Sequence, residues 1–211
     1  MRAITIILLG LSFIPTSCND AIDDSIDLNS NPIITQLDAL PSELPDDLEI
    51  AALLYMKEEE KLARDVYDFL FSQFSLRVFD NISSSEQNHM NTIDALISKY
   101  QLDDPSVEIP GEFVNSDLQA LYNDLILSGS SGIEEALQVG AAIEEIDIMD
   151  LRRELDSNVD NQDIILVFEN LMKGSRNHLR SFVKNLDNRN LTYYPQFLSQ
   201  EEYNAIINSS M

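Results

Sequence analysis

The chain has two histidines, His89 and His178, and the first stands in the run Glu86-Gln87-Asn88-His89. Residues three apart on a helix lie on one face, a turn from each other, so Glu86 and His89 would present a carboxylate and an imidazole side by side. His178 shares a face with Leu171, Ser175 and Phe182, and Glu60 falls in the middle of another apolar face. A carboxylate there is costly unless it is paired or holds a metal. Glu144 and Asp147 are again three apart, among Leu137, Gly140, Ala141, Ile148 and Leu151. Six side chains on inward helix faces are therefore candidate metal ligands: Glu60, Glu86, His89, Glu144, Asp147 and His178. Bundles that bridge two iron or two manganese ions are built this way. Oxygen donors with two imidazoles favour iron, most of all a di-iron pair, or manganese, with zinc the less favoured ion. Tyr67 lies near Glu60 and Arg176 near His178. These are the candidate catalytic groups, Tyr67 by hydrogen-bonding the site and Arg176, with Arg180, by orienting its carboxylates.

Each residue also has a plainer role open to it. Glu86 fits the third position of a capping box begun by Ser83. Glu60 ends the run Glu58-Glu59-Glu60, which reads equally as a solvated face, and Glu144 has Glu145 beside it. Asp147 could pair with Arg176 or Arg180. The metal reading rests on the coincidence of both histidines and four acids on four inward faces.

Helices must position these groups. Leu53, Met56, Glu60, Ala63, Tyr67, Leu70 and Phe74 recur at steps of three and four, which predicts helix A over residues 47–74. Helix B is expected from near Ser84 to Tyr100, helix C from after Gly132 to about Leu155, and helix D from Gln162 to Leu186. The long B–C link carries Pro105, Pro110 and Gly111 and a short helix over about 117–127. Ser199 and Glu202 have capping-box spacing and predict a short C-terminal helix, with Tyr193, Tyr194 and Phe197 packing on the bundle before it. The fold class is thus all-α, a ferritin-like four-helix bundle with one long crossover, over residues 46–208.

The remainder of the chain reads as an export and anchoring device. Residues 1–17 have a charged start at Arg2, an apolar run from Ile4 to Ile14, and small residues leading into the lone cysteine, Cys18. That apolar run is too short for a transmembrane helix. The residues before Cys18 resemble the lipobox of bacterial lipoproteins, although Pro15 replaces the usual aliphatic residue. Residues 18–45 are acidic, lack Lys and Arg, and contain Pro32, Pro41 and Pro45, as expected of a flexible tether behind a lipidated Cys18. The expected location is the cell envelope, at the outer membrane or cell surface, with the lipid on Cys18 as membrane contact. One cysteine excludes an internal disulfide and a four-cysteine metal centre. A net charge of −24 repels nucleic acid and anionic lipid, so neither is expected as a partner; it would attract cations but reads first as a surface that keeps an exported protein soluble, and the metal ions expected as partners rest on the six candidate ligands.

Several stretches resemble known families. Glu60-x-x-Ala63-Arg64-x-x-Tyr67, Glu86-x-x-His89, Glu144-x-x-Asp147 and His178-x-x-x-Phe182 resemble the di-iron helices of rubrerythrin. Longer runs, Met56 to Tyr67, Ser85 to Met90 and Gly174 to Arg180, resemble the ferritin-like family called domain of unknown function 2202. That resemblance covers about residues 50–208 and implies the fold more firmly than an activity. Where rubrerythrin carries a glutamate three residues before its last histidine, this chain has Ser175, and the four-cysteine iron module is missing. The resemblance implies a redox centre that oxidises iron or reduces peroxide or dioxygen, fed by an external electron donor. The other readings are a surface-tethered metal-binding domain without turnover, and a purely structural lipoprotein.

Overall fold

A computed structural model describes residues 32–37, 39–41 and 43–209. The expected signal segment 1–17, Cys18 and the first part of the tether lie outside these residues. Among the described residues the regular structure is helical: α1 Pro32–Leu37, α2 Asp47–Phe74, α3 Arg77–Tyr100, α4 Ser116–Gly129, α5 Ile133–Ser157, α6 Gln162–Asp187 and α7 Gln200–Ile207.

Four long helices carry the bundle, and their ends follow from local chemistry. Asp46 caps α2 by accepting from the amides of Leu48 and Glu49, while the Glu49 side chain accepts from the Asp46 amide, a reciprocal capping box. Ser75 then turns the chain with a left-handed φ of 53°. The short links that follow α2 and α5 fold α2 onto α3 and α5 onto α6 as two hairpins. The hairpins pack so that α2 meets α5 and α3 meets α6. Both pairings are antiparallel. Tyr55 bonds Asp150 while Tyr67, further along α2, bonds Glu144. Ser85 meets His178 on α6 while Tyr100 meets Asp163.

Tyr100 therefore ends at one end of the bundle and α5 begins at the other, so residues 101–132 must travel its length. α2 holds them down with charged side chains. Lys57 pairs with Asp104, and Lys61 donates to the carbonyls of Ile109 (2.9 Å) and Glu112 (3.1 Å). Glu58 accepts from the amides of Val114 (2.7 Å) and Asn115 (3.0 Å) at the start of α4. α4 then packs across α2 and α5. A single long crossover between two hairpins is the ferritin-like arrangement.

Three expectations are corrected. α3 begins at Arg77, not near Ser84. Phe79 and Ile82 are buried and extend its apolar stripe backwards, and Ser83 and Ser84 are mid-helix residues that bond Asp68 and the Asp80 carbonyl. Part of the segment read as a tether is structured, because α1 packs on α3 and α6 and buries Leu37. Near the C-terminus Tyr193 and Leu198 pack inward, whereas Tyr194 and Phe197 are exposed. The capping box of α7 forms between Ser199 and Glu202.

Candidate metal centre

Four helices each bring at least one ligand-type side chain to the middle of the bundle. Helix α2 supplies Glu60, α3 supplies Glu86 and His89, α5 supplies Glu144 and Asp147, and α6 supplies His178; all six are buried. Glu86 is the hub. Its Oε2 lies 2.7 Å from His89 Nδ1, and its Oε1 lies 2.9 Å from His178 Nδ1. His89 Nδ1 also donates to Glu60 Oε2 at 3.0 Å, and His178 Nδ1 lies 3.4 Å from Glu144 Oε2. The groups thus run Glu60, His89, Glu86, His178, Glu144 as an alternating chain, with the two imidazoles stacked at a centroid distance of 5.5 Å. One ligand atom each from Glu86, His89 and His178 falls within 4.8 Å of the others.

Surrounding groups fix the orientation of this chain. Tyr67, fully buried, donates to Glu144 Oε1 at 2.5 Å. Ser85 Oγ lies 2.9 Å from His178 Nε2, which leaves Nδ1 turned toward the carboxylates. Ser175 donates to Asp147 Oδ2, so the residue that departs from the rubrerythrin pattern holds a neighbouring carboxylate in place. Arg176 is not one of these groups: its described bond goes to Met172 Sδ. Arg180 likewise turns away, donating to Ile206 O and Ser209 Oγ. The expected orienting role of Arg176 therefore belongs, by position, to Tyr67, Ser85 and Ser175.

Burial and crowding set the protonation. Burial opposes ionisation of Glu86, but His178 and His89 outweigh it and hold its carboxyl well below the usual range. Burial would likewise strip the protons from the imidazoles, yet their carboxylate neighbours win: His89 is pushed well up and His178 to about 10. Glu60 is pushed up by burial, with Asp147 and Glu86 adding to it against the pull of His89. Asp147 is raised to about 7 by burial and then by Glu144. Glu60 Oε1 and Asp147 Oδ1 are buried with no hydrogen-bond partner. Acceptor-only oxygens without donors, beside imidazoles aimed at the same point, are the donor set a divalent cation takes.

The adjacent acids show the contrast. Glu58 accepts from Val114 and Asn115, and Glu145 from the amides of Gln196, Phe197 and Leu198. Their lone pairs are used by the backbone, so they brace the fold. Two contributors were missed by sequence reasoning. Ser85 ends a serine run that resembles a cap. Gly174 sits in mid-helix, where an isolated glycine is itself a signal of close packing. A Cβ at Gly174 would lie 2.5 Å from His89 Nε2 and 2.6 Å from Cε1. Alanine is the better helix former by ~1 kcal/mol, but here it must push away a ring already tied to Glu60 and Glu86. Gly174→Ala is therefore expected to lower metal affinity by at least ~10-fold, as measured by competition with a chelator. Unchanged affinity would show that the His89 position does not matter.

The comparisons with known proteins agree with this architecture without assigning chemistry. The chain is 44 % identical over 179 residues to the uncharacterized protein MJ0754 of Methanocaldococcus jannaschii, covering 84 % of this chain and 96 % of the relative. The crystal structure of that hypothetical protein superposes with a TM-score of 0.78 and 46 % identity, over 81 % of this chain and 98 % of the other. Residues 49–210, which hold every side chain of the centre, match the family described as an uncharacterized protein domain (DUF2202), and the chain belongs to that family.

Proposed function

We propose that this domain holds a pair of first-row metal ions, iron or manganese, at the Glu86 centre. The observation that carries the reading is the placement of Glu86, whose two oxygens each face a different imidazole. One ion would be held by Glu60, His89 and one oxygen of Glu86, the other by Glu144, His178 and the second oxygen. Asp147 Oδ1 is free to serve either. A bound pair of redox-active ions would pass electrons from ferrous substrate or another donor to peroxide or dioxygen. The protein's own contribution is to hold the carboxylates apart through Tyr67 and Ser175 and to keep the imidazoles turned through Ser85. Export and a lipid on Cys18, which would display the centre at the cell envelope, rest on the sequence of residues 1–18 alone, and electrons would come from an external donor. A metal-holding domain without turnover is the second reading. Ser175 favours it, since a hydroxyl stands where the resembling redox helices carry a glutamate.

Protein purified without chelator and reconstituted with Fe(II) or Mn(II) is expected to retain about two ions per chain by elemental analysis. Retention of none would overturn the proposal, and peroxide turnover by the loaded protein separates the two readings. Because imidazoles and carboxylates must lose their protons to bind metal, loading should release protons, and affinity should rise with pH through about 7, where Asp147 is held, and on toward about 10, where His178 is held. Calorimetry in buffers of different ionisation enthalpy reads that release directly.

A further inference from the structure

The buried acids of this bundle have mostly found donors. Glu49 accepts from the amides of Asp160 (3.0 Å) and Asn161 (2.8 Å), and Asp163 from Lys99 Nζ (2.8 Å) and Tyr100. Glu58 and Glu145 brace loops in the same way. Glu59 is different. It is 3 % exposed, and neither carboxylate oxygen meets a hydrogen-bond donor. The charges that act on it are other carboxylates, Asp147, Asp150 and Glu60.

These residues form a graded series along the seam between α2 and α5. At the outer end Asp150, its side chain 15 % exposed, accepts from Tyr55 OH at 3.0 Å and pairs with Arg153, which is itself half in solvent. Tyr55 and Glu59 are four apart on α2, so the Tyr55–Asp150 bond places Glu59 one turn further in. Inside Glu59 come Asp147 and Glu60, each keeping one oxygen unbonded. Acidic side chains with unbonded oxygens thus lead from a partly exposed aspartate to the centre.

We infer that Glu59, between Asp150 outside and Asp147 inside, is a transient divalent-cation position through which the Glu86 centre is loaded. The inference rests on the metal-centre reading and extends it to a route. Acceptor-only groups buried without donors need either protons or a cation, and oxygen donors take hard divalent ions. Among the described residues the three ligand groups that close to within 4.8 Å of one another are those of Glu86, His89 and His178. Glu59 and its acidic neighbours are not among them.

The test uses the full chain and Mn(II). Metal is mixed in, free ion is removed by desalting at timed intervals, and bound manganese is measured. Glu59→Gln and Asp150→Asn are expected to reach the unvaried protein's final content at least ~10-fold more slowly, since a focusing charge acts on the rate of encounter. The metal-free Glu59→Gln protein should melt no lower than the unvaried one, because an unpartnered buried carboxylate has been removed. Loading of both variants at the unvaried rate would overturn the route and leave the centre standing. A lower final content in Glu59→Gln would make Glu59 a resident ligand and also overturn it. If the unvaried protein takes up no manganese, the centre and its route fall together.

Discussion

Glu86→Gln should abolish metal retention while leaving the fold intact. Glu86 is the one carboxylate shared by both imidazoles. Replacing it with an amide removes a charged ligand from each half of the centre at once, and the expected loss in affinity is ~100-fold or more. His89 keeps Glu60, and His178 keeps Glu144, so each imidazole remains paired and the bundle has no new isolated charge. Glu58→Ala is the matched control. It frees the amides of Val114 and Asn115, at a cost of about 2 kcal/mol, and leaves the ligands untouched. Elemental analysis after gel filtration, with a circular-dichroism melt for each variant, distinguishes loss of metal from loss of structure. If Glu86→Gln retains a full complement of metal, the centre is not organised around Glu86.

The second large effect concerns stability and separates two neighbours. Glu145 is fully buried and accepts from three successive amides, Gln196 (3.0 Å), Phe197 (2.6 Å) and Leu198 (2.8 Å). Glu145→Ala leaves those donors without a partner, at about 1 kcal/mol each for the part-buried Gln196 and Phe197 amides and about 1–3 kcal/mol for the buried Leu198 amide, so about 3–5 kcal/mol in all. For a domain of this size the melting temperature should fall by roughly 10 °C, with the metal content of the folded protein unchanged. Glu144→Ala, one residue earlier, should do the reverse and lower metal with a smaller change in melting. Equal losses of metal in the two variants would mean that the centre tolerates no disturbance of α5, and that ligand and brace cannot be told apart there.

How much of this was legible in the sequence depends on what kind of information periodicity holds. Spacing gave α2, α5 and α6 to within a residue or two because each carries an apolar stripe along most of its length. It misplaced the start of α3, since Ser83-Ser84-Ser85 looks like a cap and only the bundle reveals that Ser83 and Ser85 meet Asp68 and His178 on other helices. Helical spacing also brought Glu60, Glu86, His89, Glu144, Asp147 and His178 to inward faces; the structure buries all six and links five of them by contact, while Asp147 is held by Ser175. Sequence alone could not divide Glu58, Glu59 and Glu60, or Glu144 from Glu145. Successive residues point about 100° apart, and what each meets depends on the crossover, on the α5 seam and on the tail after α6. The role given to Arg176 failed for a similar reason: proximity in sequence to His178 says nothing of which way a long side chain turns.

The crossover also changes what kind of segment the middle of α2 is. From Met56 to Ala63 every residue is buried, and five of the eight are Lys or Glu. An ordinary surface helix keeps one face where substitutions pass unnoticed, and a charged run is where that face is normally sought. Here the charged run has no such face. Lys57, Glu58 and Lys61 fasten the crossover, Glu59 lines the seam with α5, and Glu60 reaches the centre, so none of these positions is free to drift. The most polar-looking turn of the helix is therefore its least tolerant, and replacement of Glu by Asp or Lys by Arg, harmless on a solvated face, would be felt there as a change in the core.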